Sequence, residues 1–226
     1  MADERAPKLT TELIVDTAIN VADRDGLPAL SMRRIADELG VGAMSLYRHI
    51  SDKDALLEAM AEEIGRRFPY PVDEAGPWSW RERVAIAVDI DWQLYRRHPW
   101  VVLAYSAPRY SFGVDALEGL DWLAAGFTEL GIDITTATEM ALTLWSYVNG
   151  VALAQVSEEL LDASPGEHPS GLADLIAGRV TSRLPHLSTL SDAADATRLN
   201  DPRALLDAGV DYLCAWFEAR AASSKS

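Results

Sequence analysis

Apolar residues recur along this chain about every 3.6 residues, and no stretch alternates apolar with polar as a half-buried strand does. This periodicity confines the chain to an all-α fold, because an apolar helix stripe must be buried against other helices. A first helix is expected over about 11–25, with Ile14, Val15, Ala18, Ile19 and Ala22 on one face, Thr10 as N-cap and Gly26 as its stop. Ser31 caps a second helix that ends at Gly40, and Leu30 and Ile35 have hydrophobic-staple spacing. A short third helix covers 43–49. Ser51 is read as the cap of a fourth, 51–67, with Asp54 in the capping-box position. Phe68-Pro69-Tyr70-Pro71 ends that helix, and the Pro- and Gly-bearing stretch to Pro77 reads as a boundary. Longer helices are expected over about 78–97, 113–130, 134–161, 171–183 and 203–221, with a short one near 100–105. The expected organisation is an N-terminal three-helix unit, linked by the fourth helix to a larger bundle, divided as 1–67 and 68–226.

Composition removes several classes. A hydrophobic share of 49% in 226 residues supports a real core. The single cysteine, Cys214, excludes an internal disulfide framework and any multi-cysteine metal site. The start MADERAPKL has no apolar segment of the signal-peptide kind. The longest uncharged run, residues 140–157, contains Thr143, Ser146, Asn149 and Gln155 and is too polar to face lipid. The expectation is a cytoplasmic protein with no membrane partner, no cofactor and no metal.

Residues 31–50 have the form of a helix-turn-helix. Ile35, Ala36 and Leu39 hold the first helix to a core, Gly40 permits the tight turn, Val41 plugs its inside, and Leu46 and Ile50 anchor the second helix. That leaves Ala43, Met44, Ser45, Tyr47, Arg48 and His49 facing outward, a pattern suited to entering a DNA major groove. An ordinary helical corner would share the capped short helices.

The motif resembles the TetR family of transcriptional regulators over about residues 10–60. The resemblance rests on Asp25-Gly26-Leu27, on Leu30 to Val41, and on the run from Ser45 through Tyr47, His49 and Lys53 to Leu57. It implies that Arg33 contacts DNA, that Ala43, Met44 and Ser45 occupy the base-reading start of the recognition helix, and that Tyr47, His49 and Lys53 meet phosphates. Ala43 and Met44 cannot hydrogen-bond a base, so direct reading there is limited to apolar contact, and Arg33, Ser45 and DNA shape must supply much of the specificity. Further implications are a double-stranded DNA operator, repression relieved by a small-molecule effector, and no catalytic residue.

Charge qualifies this. The chain carries 20 Lys+Arg against 35 Asp+Glu, a net −15 that argues against nucleic acid as an average. Residues 1–67 hold 9 basic and 13 acidic side chains, net −4, and residues 68–226 hold 11 and 22, net −11. Within 31–53, Arg33, Arg34, Arg48 and Lys53 face Asp37, Glu38 and Asp52, net +1. Modest non-specific binding through a few aimed contacts is expected.

Reading a palindrome needs two copies about 34 Å apart, hence a homodimer. Met140, Leu144, Val148, Val151 and Gln155, with Gly150 and Ala154 allowing close approach, and Leu206, Val210, Leu213 and Phe217 are the candidate faces, intrachain packing being the alternative. For a ligand, Trp80, Val84, Val88 and Trp92 form one row of a helix with Asp91 and Tyr95 beside it. Trp92, Asp91, Tyr95, Tyr105, Trp122, Trp145 and Asn149 are the candidate effector residues, against the alternative that the aromatics are simply core.

Two other classes remain. An all-helical enzyme is poorly supported, since His49, His98, His168 and His186 fall in no zinc or di-iron spacing and no nucleophile or nucleotide motif is present. A protein-interaction module without specific DNA binding explains the acidity but leaves residues 30–57 unexplained.

Overall fold

The computed structural model describes residues 8–72, 76, 78–111, 113–160, 186–187 and 196–223. Among the described residues there are ten α-helices and no strand. They are α1 (Thr11–Asp25), α2 (Met32–Leu39), α3 (Ala43–Leu46), α4 (Lys53–Arg67), α5 (Trp80–Arg97), α6 (Val101–Tyr105), α7 (Pro108–Ser111), α8 (Val114–Thr128), α9 (Ile134–Leu160) and α10 (Pro202–Ser223). The helix expected over 171–183 lies outside the described residues, as does His168.

Caps set the helix starts. Thr10 Oγ1 accepts from the Leu13 N–H at 3.2 Å and Ser31 Oγ from the Arg34 N–H at 3.1 Å, as their sequence positions predict. At α4 the expectation needs correction: Asp52, not Ser51, is the N-cap, its Oδ1 accepting from the Ala55 N–H at 2.9 Å. An anionic acceptor at a helix start also suits the dipole, and Ser51 Oγ donates to Asp52 Oδ2 at 3.0 Å. A capping box opens α5: Ser79 N–H donates to Glu82 Oε2 at 2.8 Å and Glu82 N–H to Ser79 Oγ at 3.4 Å.

The residues form two compact units. The first comprises α1 to α4, α5 from Val84 onward, α6, α7 and α8 as far as Trp122. Ile14, Val15, Ala18, Ile19 and Ala22 of α1 are buried with Met32, Ile35 and Ala36 of α2 and with Leu56, Met60 and Ile64 of α4. Helix α7 and the neighbouring α6 rest on α4. Arg109 and Tyr110 of α7 reach Asp54 at 3.2 Å.

The second unit contains the first turn of α5, the rest of α8, and α9 and α10. Phe127 meets Phe217 edge-on at 5.2 Å and Trp80 at 5.8 Å, and Arg81 lies over the Trp80 ring while pairing with Glu218. Tyr147 of α9 crosses α10 at Gly209 and donates to the Leu205 carbonyl at 2.9 Å. A Cβ on Gly209 would fall 1.8 Å from Tyr147 Oη, whereas nothing approaches Gly150. Within the chain, the close approach of α9 and α10 is made at Gly209, while Gly150 borders open space. No helix among the described residues is long and apolar enough to cross a membrane.

Candidate nucleic-acid interface and effector site

Helix α2 is stopped by Gly40, whose φ of 65° is left-handed and open to glycine without strain. Gly40 N–H donates to Asp37 O and Val41 N–H to Ala36 O, a Schellman closure that turns the backbone sharply into Gly42, the N-cap of α3. Leu46 and Ile50 are buried and pin α3 and the turn after it to the core. The helix expected over 43–49 is shorter, Ala43–Leu46; Tyr47 keeps helical dihedrals, φ −63° and ψ −12°, and 47–49 form a turn.

The side chains read as DNA-facing are available. Met44 is 75% exposed and Tyr47 45%, Arg33, Arg48, His49 and Lys53 are exposed, and Ala43 and Ser45 half-buried. Cations divide into two groups. Arg34 sits in a four-membered surface network with Arg24, Asp25 and Glu38, at distances of 2.6–3.0 Å. Hydrogen bonding to Arg24 holds the Asp25 and Glu38 carboxyls low, the charge of Arg34 adding to it. Arg33, Arg48 and Lys53, by contrast, form no ion pair with any described residue. Their charges stay free for an outside anion, and the hydroxyl of Tyr47 and the ring of His49 add donors suited to phosphate oxygens.

A second cluster lies wholly within the first unit. Asp91 of α5 accepts hydrogen bonds from Tyr70 Oη at 3.0 and 3.1 Å. Tyr70 meets Trp122 edge-on at 5.6 Å, and it can do so because Gly119 lies beneath, where a Cβ would come within 3.0 Å of the Tyr70 ring. Tyr95 is buried beside Asp91, and Tyr105 donates to the Ala61 carbonyl of α4 at 3.3 Å. Burial pushes the Asp91 carboxyl up to about 7, against the lowering effect of the Tyr70 hydroxyl. Burial, then the charge of Asp91, pushes the phenols of Tyr95 and Tyr105 upward too.

Of the seven effector candidates, Asp91, Tyr95, Tyr105 and Trp122 thus converge in one place. Trp92 is buried one position further along α5, about 100° round the helix from Asp91, and makes no hydrogen bond or ring contact with a described residue there. Trp145 and Asn149 lie on α9 in the second unit. Tyr70, the direct partner of Asp91, was missed because a tyrosine between two prolines reads as linker; an acid inside an apolar stripe with no basic residue three or four positions away was the available signal.

The faces of α9 and α10 also differ from expectation. Met140, Leu144, Val148, Leu206 and Phe217 are buried within the chain itself. What remains open is a groove of 1120 Å³ in the second unit, lined by Gly150, Ala154, Gln155, Leu205, Tyr212 and their neighbours. Tyr212 and Trp216, one turn apart on α10, are 76% and 56% exposed. The buried residues of α9 (Ala137, Met140, Ala141, Leu144, Val148, Ala152 and Val156) form one stripe at helical spacing, and Val151 and Gln155 lie beside it on the groove.

A short outward helix, delivered by a capped turn and flanked by unpaired cations, defines a helix-turn-helix DNA-binding protein. Comparison with known proteins agrees. Residues 14–60 match the family described as bacterial regulatory proteins, tetR family. The chain is 33% identical over 168 residues to the HTH-type transcriptional repressor DrrR1 of Streptomyces coeruleorubidus, covering 74% of this chain and 60% of DrrR1. It is 30% identical over 215 residues to an HTH-type transcriptional regulator of Saccharopolyspora erythraea, covering 95% of this chain and 87% of that one. Among solved structures, the Streptomyces coelicolor TetR family protein ActR in complex with actinorhodin superposes with a TM-score of 0.76 at 27% identity, covering 94% of this chain and 97% of ActR. The chain belongs to the TetR family of ligand-responsive, DNA-binding transcription regulators, a family of regulators rather than enzymes.

Proposed function

We propose that this protein is a homodimeric repressor that grips a palindromic operator with the residues around α3 and releases it when a small molecule enters the cluster around Asp91. The observation that carries the reading is the set of unpaired, exposed groups around the capped turn: Arg33, Tyr47 and Lys53, with Met44 at the tip. In this reading Ala43, Met44 and Ser45 meet base edges, Arg33 adds a contact, and Tyr47, His49 and Lys53 fix the register on phosphates. Residues 1–67 are the DNA-binding part and 68–226 serve ligand binding and dimerisation.

A second copy is needed because one recognition helix reads one half-site. The open face of α9 and α10, with Tyr212 and Trp216, supports pairing there. Repression fits the name of DrrR1, and the actinorhodin complex of ActR fits a regulator that binds a ligand, here one suited to the aromatic side chains around Asp91. A ligand preferring the conformation with wrongly spaced recognition helices by about 3 kcal/mol would shift the population about a hundredfold. Helix α4 is the lever, since it begins at Lys53 and accepts the Tyr105 hydroxyl at Ala61. Such a regulator works in the cytoplasm, where its operator is.

Selection of bound sequences from random duplex DNA, followed by shift assays with and without aromatic ligands, tests this. Enrichment of a palindrome, lost on adding an effector, is the expected result. Absence of enrichment, or an operator affinity indifferent to a bound ligand, would sink it.

A further inference from the structure

We propose that the cluster around Asp91 selects an organic cation, a planar aromatic molecule bearing one positive charge, with Asp91 as counter-ion and Tyr70, Tyr95, Tyr105 and Trp122 as its walls. The inference rests on the reading of this cluster as the effector site. Its first ground is an imbalance of charge. Asp91 stands on a face of α5 otherwise made of Val84, Val88, Trp92 and Tyr95, with Asp89 and Gln93 exposed on the other side, and no Lys, Arg or His among the described residues pairs with it. Asp23, elsewhere in the same unit, has His98 and Arg97. Among the described residues the Tyr70 hydroxyl is the one hydrogen-bond donor on Asp91, although a carboxylate can accept about four.

The second ground is the material around it. Aromatic faces attract cations and gain most when water is excluded. Tyr95 and Trp122 are buried, while Asp91, Tyr70 and Tyr105 each keep part of their surface open. Isolating a charge this way is costly unless a partner arrives. Burial disfavours an uncompensated carboxylate, and a bulky cation with diffuse charge, which loses little hydration on entering, can offset that cost. An anion would meet a like charge, a neutral ligand without an N–H or O–H would leave Asp91 as short of partners as before, and a neutral donor would add a hydrogen bond but leave the charge uncompensated.

Three molecules of one shape test it: 10-methylacridinium, 9-methylanthracene and anthracene-9-carboxylate, titrated calorimetrically into the full-length protein at pH 8 without DNA. The cation is expected to bind at least tenfold more tightly than the hydrocarbon, and the carboxylate more weakly than either. Asp91→Asn should erase the preference and Asp91→Glu keep it, with thermal melts confirming that each variant is folded. Where a variant does not fold, the wild-type comparison alone decides. Equal binding of cation and hydrocarbon, with both weakened by Trp122→Ala, would overturn the charge preference and leave the effector site standing. Binding of no probe, or binding indifferent to Trp122→Ala and Asp91→Asn alike, would overturn both.

Discussion

Asp23, in the last turn of α1, holds His98 at the end of α5: its Oδ1 lies 2.8 Å from His98 Nδ1 and 2.8 Å from Trp100 Nε1. His98 is the one polar or charged residue that is buried outright among the described residues, and Phe68 packs edge-on against it at 5.7 Å. One carboxylate thus ties the helix that carries the reading head to the corner between α5 and α6. His98 and Trp100 both present ring N–H groups, which only an acceptor at this spot can satisfy.

Asp23→Ala leaves both donors unmet in a buried place. A loss of about 2 to 3 kcal/mol is expected, and thermal unfolding should begin several degrees lower. Asp23→Asn, which keeps an acceptor oxygen, should lose less. Equal melting of wild type and Asp23→Ala would show that the bond carries no net stability.

Lys53→Ala and Tyr47→Phe leave the fold untouched, since both side chains are exposed. Each should weaken operator binding without changing which sequence is preferred. For Lys53→Ala the dependence of log affinity on log salt should flatten by about 1 for each protomer's lost phosphate contact. An unchanged slope would remove Lys53 from the interface.

Gly209→Ala places a methyl where Tyr147 Oη now lies, 1.8 Å away. The ring must swing out and its bond to Leu205 O must break. A destabilisation of about 1 to 3 kcal/mol is expected from the overpacking. Tyr147→Ala combined with Gly209→Ala should recover part of it, because the ring carbons Cζ and Cε1 collide as well as the oxygen and only removal of the whole ring clears them; a double-mutant cycle reads the difference.

The Asp91 carboxyl, raised by burial to about 7, titrates near pH 3.9 in an unfolded chain. Between those values the folded protein keeps a proton that the unfolded chain has released. The stabilising contribution is therefore full below about pH 4 and is lost as the pH rises through 7, on the order of 4 kcal/mol in all. Asp91→Asn cannot lose it. Melting temperatures of variant and wild type, compared at pH 5 and pH 8, should shift in the variant's favour at the higher pH.

Local signals carried the reading head well. Thr10, Ser31, Gly26 and Gly40 act where their residue types predict, because capping depends on a few neighbouring backbone groups. Ser51 lost its place to Asp52 since two adjacent residues could each cap and only backbone geometry chose between them. The four-residue α7 lay below the length at which periodicity shows. The cluster around Asp91 was half legible. Asp91 and its helix neighbours announced themselves as an acid in an apolar stripe, but Tyr70 reaches it from 21 positions earlier. Which apolar residues of α9 and α10 stay open was not legible, because Leu144 and Tyr212 look alike until the chain's own packing has taken its share.

The ring of Arg24, Asp25, Arg34 and Glu38 bears on how this regulator finds its target. With Arg34 shared between Asp25 and Glu38, few cations are left to grip arbitrary DNA, and on the proposed reading the rest of the chromosome would hold little of the protein. The freely diffusing pool would then track the number of copies made, and operator occupancy would respond almost directly to synthesis, dilution and effector.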